Sequence, residues 1–578
     1  MARRPLAGVA AASTTDYPAA PPASTTVPAR TDRAGHPPLL TTRNFYLGLA
    51  FVCLVVGALS LLIPSTPSYD AWSWLLWGRQ IIHGHLTITT GGTSWKPLPM
   101  IFTIPFALFG RAAPDLWLVV ARAGALAAVV MVSRLAYRLT RQVGGLFGEP
   151  AGDLGRLTTV APALLAGVIG AVSLALSASG GFVSSNALGY SEGLATALLL
   201  ISIERHLDGH RRQAFIVGLL VALDRPEIWL FWGPYGLWLM WKDPGSRALV
   251  IGSAIVVLAA WFIPVKLGCG SFGCSTSRAL HPRSNSLAFA SDPFEAELSK
   301  AAWPTMLLRI KVVAALLVIT VAGMLWRTYR RAGTAGLLTA ANRARLTAAL
   351  MGVGGLAWFI VIAVMTQIGF SGNNRYLVLG AAMVDICGAV GFGWAARELA
   401  VLAARRVRAP RRAGTAAATE TATRTGTAIG GLTWAATALA ALVFLFGPNW
   451  VGSNLISVRR THGSLVYQAH LRQAMSRLVA RFGGPAKVLA CGSVMTEGFQ
   501  VPMVAWTLDV PTTRIEAPPT LADPAHAGPA PDVILQTRDT RSASLLPFLS
   551  SWPAVTYRYV ATSGPVHMFT SGCSGTST

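Results

Sequence analysis

Ionisable residues stand beside long apolar runs at several points of this sequence, where they could do chemistry together. The carboxylates are Asp70 in "SYDAW", Glu192 in "GYSEGL" and Glu227 in "DRPE", and the cations are Lys96 in "SWKPLP", Arg225 in "DRPE" and Arg375 in "NNRY". Charged groups at membrane depth cost free energy to bury, so several on one predicted face indicate a shared polar cavity. In such a cavity a carboxylate can take a proton and cations can hold an anionic group.

Each of these residues also has a purely structural explanation. Asp70 and Glu192 could cap the helices that they precede, because carboxylates favour helix N-termini. Lys96 and Arg375 could extend to the membrane interface, as single cations at span ends do. The charges of "DRPE" could form a structural pair. The number of charges on one predicted face favours a site over these separate explanations.

The elements that must position these residues follow from composition. The chain has 578 residues, of which 53% are hydrophobic and 12% are charged. Repeated apolar runs of about 20 residues match the thickness of a hydrocarbon core, so the sequence predicts an α-helical polytopic membrane protein. The net charge of +24 comes largely from arginines gathered between apolar runs. Arginines at such positions set the orientation of a chain in the membrane. We therefore predict that the protein contacts membrane lipids and does not bind nucleic acid.

Hydropathy and the positive-inside rule predict about eleven transmembrane helices, with the N-terminus in the cytoplasm of a cell-membrane protein. The predicted spans are 44–64, 115–139, 158–178, 190–205, 213–224, 228–242, 247–264, 305–326, 345–366, 376–398 and 428–447. The apolar run 98–110 contains a proline and is short for a crossing, so it is predicted to be a re-entrant or interfacial segment. The loops 65–97 and 265–304 then lie outside the cytoplasm.

Three regions follow from this plan. Residues 1–43 are rich in Ala, Pro, Ser and Thr and predict a disordered cytoplasmic tail, and residues 44–447 form the transmembrane domain. Residues 448–578 predict a small extracytoplasmic α/β domain, with a helix in "LVYQAHLRQAMSRLVARFGG" and β-rich runs in "AKVLACG", "DVILQT" and "TYRYVAT". This domain contains no catalytic motif, so it could bind acceptor chains or cover the site.

The cysteine pair in "CGSFGC" falls in a predicted outside loop. Cys269 and Cys274 lie where disulfides persist, and we predict that they are bonded to each other. A zinc site would need further Cys or His ligands in closer spacing.

The order of the motifs between residue 44 and about residue 210 is itself informative. A membrane helix is followed by a long loop with an early acidic residue, then by "KPLP" and an apolar run ending in "FG", by the helix "ARAGALAAVV", and by an acidic residue that opens a later span. This order resembles the glycosyltransferase C superfamily, and within it the protein O-mannosyltransferases and the lipid A aminoarabinose transferases. Two features depart from the pattern: Asp70 stands alone instead of in an acidic pair, and Glu192 replaces an Asp common in relatives.

The resemblance implies an enzyme that moves a hexosyl or pentosyl group from a polyprenyl-phosphate sugar to a glycan, lipid or protein acceptor outside the cytoplasm. Asp70 is then the general base and Glu192 the second catalytic carboxylate, while Lys96, Arg375 and Arg225 hold the donor phosphate. The residues predicted to bind substrate are Tyr69, Trp72, Trp95, Glu227 and Tyr376. The tryptophans could instead anchor the loop at the interface. A divalent cation is neither required nor excluded.

Two other classes of function fit the hydropathy plan. A multi-pass transporter or lipid flippase would line a passage with the same charged residues, although the sequence shows no internal repeat. A scaffold for cell-envelope machinery would leave Asp70 dispensable.

Overall fold

The computed structural model describes residues 42–88, 93–142, 158–176, 181–274, 280, 282, 286–302, 308–408, 418–446, 450–518, 528–537 and 552–573. The chain divides into two compact units, Met1–Gly48 and Leu49–Thr578. Most of the predicted tail, residues 1–41, lies outside the described residues. The candidate site lies entirely within the second unit.

Helices dominate the chain up to residue 446. They are α1 (Thr42–Leu59), α2 (Tyr69–Ile82), α3 (Pro97–Ala107), α4 (Ala113–Gln142), α5 (Val160–Ala175), α6 (Gly181–Ala187), α7 (Glu192–Leu207), α8 (Arg211–Ala222), α9 (Trp229–Lys242), α10 (Arg247–Cys269), α11 (Pro293–Ala302), α12 (Leu308–Leu337), α13 (Ala340–Gln367), α14 (Val378–Arg408) and α15 (Ala418–Leu445).

Every predicted span overlaps a helix, but some of these helices are too short to cross a membrane. Within the described residues, seven helices are long and apolar enough, or eight if the bent pair α6 and α7 counts as one span. The structure therefore confirms a multi-pass helical membrane chain, whereas the count of about eleven is not confirmed. The difference comes from short helices such as α5, α8 and α9, with 16, 12 and 14 residues. A straight crossing needs about 20 residues.

Charged residues of the candidate site lie at two breaks between consecutive helices. Helices α6 and α7 meet at an angle of 109°, and Glu192 is the first residue of α7. Between α8 and α9 the chain makes a 3-10 turn at Pro226–Ile228, because Pro226 lacks the backbone donor that a continuing helix needs. The predicted re-entrant or interfacial run 98–110 falls mainly in α3, which has 11 residues.

The C-terminal region combines helices with one mixed sheet. Its helices are α16 (Trp450–Arg481), α17 (Pro485–Ala490) and α18 (Val501–Leu508), and its strands are β1 (Val494–Thr496), β2 (Ile515–Glu516), β3 (Val533–Thr537), β4 (Arg558–Ser563) and β5 (Val566–Thr570). The strand order is β2-β1-β3-β5-β4. Strand β1 is parallel to β2 and β3, and β5 is antiparallel to β3 and β4.

One prediction about this region is wrong. The run "AKVLACG" is not a strand but lies mainly in α17, which begins at Pro485. Proline at the first helical position is preorganised for a helix, because its fixed φ suits that position and its missing donor is not needed there. The chain then turns at Gly492, whose φ of 126° suits glycine, before β1 begins. The run "DVILQT" contains β3, and "TYRYVAT" contains all of β4 except its last residue, Ser563.

One hydrophobic core joins the C-terminal region to α2. Buried side chains of α2, among them Trp72 and Trp74, belong to the same cluster as Leu471 of α16 and Val504 of α18. On its other side α2 packs against α3, where a Cβ at Gly78 would lie 2.5 Å from the carbonyl oxygen of Thr103. The helix that carries Asp70 is therefore held from two sides.

Candidate active site

A cavity of about 580 Å³ opens among α9, α10 and α13, and its wall also includes residues at the start of α2, in the loops before α3 and α9, and before α14. One part of the wall is charged and consists of Asp70, Lys96, Asp224, Arg225, Glu227 and Arg375. Another part is apolar and includes Trp229, Leu230, Trp261, Phe262, Ile360 and Val364. The cavity is therefore amphipathic, with charges segregated from the apolar surface.

Asp70 is the second residue of α2 and lies in its first turn. Thr93 Oγ1 donates a hydrogen bond to Asp70 Oδ1 at 2.8 Å, and Arg375 Nη1 lies 2.7 Å from Oδ2. The contacts thus tie the start of α2 to the loop before α3 and to the turn before α14. This geometry does not match a helix cap, because a cap carboxylate accepts from the backbone N–H groups of its own first turn.

Arg375 is held between two aromatic rings. Its guanidinium carbon lies 4.1 Å from the ring centroid of Tyr190 and 5.3 Å from that of Tyr376. Cation–π contacts of this kind fix a guanidinium while leaving its N–H groups available for other acceptors. The side chain of Arg375 is 17% exposed, so it can reach a ligand in the cavity.

Glu192 lies beneath the cations and is absent from the cavity wall. Its side chain is 1% exposed and contacts Arg225, while Lys96 Nζ and Arg375 Nε each lie 3.8 Å from its Oε1. Backbone packing fixes its position, since a Cβ at the neighbouring Gly193 would lie 2.7 Å from Ala125 Cα. These contacts place Glu192 where it can hold the cations, and its catalytic role stays a prediction.

Arg225 is the least accessible of the three cations, with a side-chain exposure of 3%. Its guanidinium lies 4.6 Å from the ring centroid of Tyr376. Burial alone would lower the pKa of Arg225, but the carboxylates of Glu192, Glu227 and Asp224 raise it above its ordinary value. Arg225 therefore stays charged and organises the carboxylates around it.

Lys96 links the loop before α3 to the end of α8. Its Nζ donates to Ser191 Oγ at 2.9 Å and lies 3.7 Å from Asp224 Oδ2. The hydrogen bond from Leu98 N to Leu223 O, at 2.9 Å, fixes this approach. Because its ion pairs are long and its side chain is 12% exposed, Lys96 can turn toward an anion in the cavity.

Three tryptophans give the cavity rigid aromatic faces. Trp229 and Trp261 both donate from Nε1 to Ala222 O, at 3.0 and 2.9 Å, and Trp95 Nε1 donates to Ala260 O at 2.9 Å. Next to them lies Glu227, whose side chain is 7% exposed. Its Oε2 has no hydrogen-bond partner among the described residues. A buried acceptor without a donor is costly, so this atom is suited to a ligand donor.

Two residues predicted to bind substrate do not line the cavity. Tyr69 packs against Phe499 and Trp72 packs against Trp506, both of the C-terminal region. Of the other predicted substrate-binding residues, Trp95, Glu227 and Tyr376 do line it. The structure joins Cys269 to Cys274 and also Cys491 to Cys573. Phe272, between the first two cysteines, is part of the cavity wall.

Several residues of the site were not selected from the sequence. Asp224, fully buried at the cavity, stands beside Arg225 in "DRPE", and the density of charge in that motif was the available signal. Thr93, Ser191 and Tyr190 carry no such signal, because single hydroxyl residues are common in loops. Among the described residues, no group of three or more His, Cys, Asp or Glu side chains is arranged to hold a metal ion.

Comparison with known proteins gives a structural likeness only. No protein-family model and no curated protein matches the chain. Crystal structures of ArnT from Cupriavidus metallidurans resemble it, one bound to undecaprenyl phosphate and one in the apo state. Their sequence identities are 12% and 13%, their TM-scores 0.47 and 0.45, and the matches cover 92% of this chain and 99% and 98% of theirs.

Proposed function

We propose that this protein is a membrane glycosyltransferase that moves a sugar from a polyprenyl-phosphate donor to an acceptor hydroxyl. The observation that carries the proposal is the amphipathic cavity, which combines a carboxylate, two accessible cations and rigid aromatic rings with an apolar wall. A lipid-linked sugar phosphate has the matching parts: a sugar ring with an anomeric carbon open to attack, an anionic phosphate leaving group and a hydrocarbon tail.

The apolar wall suits the lipid tail. Leu230, Phe262, Ile360 and Val364 line the cavity and are also exposed on the surface of the helical bundle. Exposed apolar side chains on membrane helices face lipid, so the cavity has a wall that continues into the hydrocarbon. A tail can therefore lie along this wall while its phosphate reaches the charged part.

Asp70 is the proposed base. It accepts the proton of the acceptor hydroxyl as the acceptor oxygen attacks the anomeric carbon, and the bond from that carbon to the phosphate oxygen breaks with its electron pair on the phosphate. The proton then passes from Asp70 to water. A single displacement of this kind inverts the configuration of the anomeric carbon. Thr93 and Arg375 orient the carboxylate for this step.

Lys96 and Arg375 are the proposed phosphate ligands. They are the more accessible cations of the charged wall, and fixed cations stabilise charge that develops on a leaving group. Arg225 and Glu192 lie behind them and are proposed to set their positions. Because Arg375 contacts Asp70, it can couple the base to the leaving group.

Glu227 and the tryptophans Trp95, Trp229 and Trp261 are proposed to bind the sugar ring. The unpartnered oxygen of Glu227 can accept from a sugar hydroxyl, and the aromatic faces can pack on the apolar side of the ring. The acceptor is a glycan, lipid or protein that presents a hydroxyl. We place this reaction outside the cytoplasm, with the N-terminus inside and residues 448–578 outside, as the positive-inside rule predicts.

Binding measurements can test this proposal on the full chain in nanodiscs. Undecaprenyl phosphate should bind. At least one of three donors, undecaprenyl-phosphate mannose, glucose or arabinose, should bind more tightly than undecaprenyl phosphate does. Glu227→Gln should remove roughly 10-fold of the affinity for that donor, the value of about one hydrogen bond to a charged group. It should leave the affinity for undecaprenyl phosphate unchanged.

The matched control is Glu295→Gln, the same change at an exposed residue of α11. It should alter neither affinity. A failure of all lipids to bind would reject the proposed function, and equal losses for both kinds of lipid in Glu227→Gln would reject the sugar subsite alone.

A further inference from the structure

The C-terminal region contacts the turn of α2 that carries Asp70. Tyr69, just before Asp70, packs edge-on against Phe499 with ring centroids 6.1 Å apart. Trp72, two residues after Asp70, packs against Trp506 of α18 with centroids 5.7 Å apart. The proposed base is therefore bracketed along the chain by two aromatic contacts to the same region.

Trp506 is the centre of this interface. Its ring lies 4.2 Å from the guanidinium carbon of Arg79, and its backbone oxygen accepts from Arg79 Nη1 at 3.2 Å. Arg79 Nη1 also lies 3.0 Å from Asp509 Oδ1 at the end of α18. Trp72 and Arg79 are seven residues apart, which places them on one face of α2. Trp506 thus contacts α2 at two points along that face.

A second contact supports the first turn of α2 from α16. The guanidinium carbon of Arg472 lies 5.0 Å from the Trp72 ring centroid, and Arg472 Nη1 lies 3.8 Å from Asp115 at the start of α4. Arg472 therefore connects the C-terminal region to both α2 and α4. The opposite face of α2 is fixed by Trp74, whose ring packs against Trp117 of α4 at 5.5 Å.

Helix α2 needs such contacts, because it has only 14 residues. Isolated helices of this length are marginal in water, so packing and not intrinsic propensity sets their orientation. We propose that the C-terminal region acts as a positioning unit for α2, and that Trp506 is a positioning residue that sets the direction of the Asp70 carboxylate relative to Arg375. This inference takes the identity of Asp70 as base from the proposed function, but the packing itself does not depend on it.

Trp506→Ala tests the inference through two measurements on the full chain in nanodiscs. Hydrogen exchange of the amides of residues 69–82 should accelerate by at least about 10-fold, because α2 loses its main support on one face. Turnover with an undecaprenyl-phosphate sugar should fall by roughly 10-fold to 100-fold, since a displacement of about 1 Å at a reacting group has costs of that order. The donor affinity should remain within about twofold of wild type, because Trp506 is not in the cavity wall. Trp506→Phe, which keeps an aromatic ring, should restore most of both properties.

Trp552→Ala is the matched control. Trp552 is a buried tryptophan of the same region, but it packs in a separate cluster with Met495 and Ile534. It should weaken the C-terminal region without accelerating exchange in α2. Unchanged exchange in α2 of Trp506→Ala would overturn the inference, and equal acceleration in Trp552→Ala would overturn the role of Trp506 as the positioning residue.

The inference can still be tested if Trp506→Ala does not fold or if the wild-type protein transfers no sugar. If Trp506→Ala does not fold, Asp509→Asn takes its place, and it should loosen the C-terminal half of α2 around Arg79; unchanged exchange there contradicts the inference. If wild-type protein transfers no sugar, the proposed function fails, while the exchange data alone decide whether the C-terminal region positions α2.

Discussion

The two ends of α7 each carry a fully buried glutamate among arginines, and the two clusters are built differently. Near the C-terminal end, Glu204 accepts from Arg134 Nε at 2.8 and 3.1 Å and from Arg138 Nη1 at 3.2 Å. At the N-terminal end, Glu192 contacts Arg225 closely, but Lys96 and Arg375 lie at 3.8 Å, beyond hydrogen-bond distance.

The difference separates a structural cluster from a site. The cations around Glu204 direct their donors at that carboxylate and at Asp208, which lies 2.6 Å from Arg138 Nη2. The cations around Glu192 keep donors that point elsewhere, toward Asp70, Ser191 and the cavity. Buried charge is thus present at both ends of α7, and the cations at the N-terminal end also line the cavity of the candidate active site.

Asp70→Asn should give the largest loss. Asn keeps the shape and much of the hydrogen bonding of Asp70 but cannot take a proton, so turnover should drop by roughly 100-fold to 10,000-fold with nearly unchanged donor binding. A transfer assay with undecaprenyl-phosphate sugars measures this. Asp292→Asn is the control for a capping carboxylate, because Asp292 Oδ1 accepts from Glu295 N at 2.9 Å at the start of α11. Near-normal transfer by Asp70→Asn would remove Asp70 as the base and support a capping role, since Asn caps as well as Asp.

Lys96→Ala should affect binding and turnover together. The lost phosphate contact should cost about 2 to 4 kcal/mol, or roughly 30-fold to 1,000-fold in turnover over donor KM. Affinity for undecaprenyl phosphate itself should also fall, which distinguishes Lys96 from Asp70. Lys242→Ala, an exposed cation at the end of α9, should change neither quantity. Unaltered affinity for undecaprenyl phosphate in Lys96→Ala contradicts a phosphate-binding role.

Glu192→Gln and Glu204→Gln compare the two ends of α7 directly. Glu192→Gln should lower turnover by roughly 10-fold to 100-fold, because the cations above it lose a fixed partner and shift by a fraction of an ångström or more. Glu204→Gln should leave turnover of the folded protein within about twofold. It should instead lower stability by about 2 to 3 kcal/mol, somewhat less than for fully buried pairs because its arginines are partly solvated.

Both predictions are checked by measuring the turnover and the melting temperature of Glu192→Gln and Glu204→Gln. If Glu204→Gln slows transfer as much as Glu192→Gln does, the separation of a structural from a functional end is wrong. If Glu192→Gln lowers only the melting temperature, Glu192 is structural as well.

The sequence alone determined the setting and many of the residues. Apolar runs report membrane helices because their length must match the bilayer, and Pro226 ends α8 through its missing donor; both are local properties. The charges of Asp70, Lys96, Arg225 and Arg375 were recognisable for a similar reason, since each is costly beside apolar sequence wherever it finally lies. The length of α5, α8 and α9 was harder to predict, because hydropathy does not show where a short helix bends within the bundle.

Only the tertiary structure decided which of these residues meet and which way each faces. Asp70 and Arg375 are about 300 residues apart in sequence and 2.7 Å apart in space, a contact that no local pattern encodes. Glu192 and Asp70 looked alike in sequence, yet one is covered by cations and the other faces the cavity. Tyr69 and Trp72 turned out to contact the C-terminal region, because α2 is buried on nearly all sides and its tryptophans give no periodicity from which a ligand-facing side could be chosen.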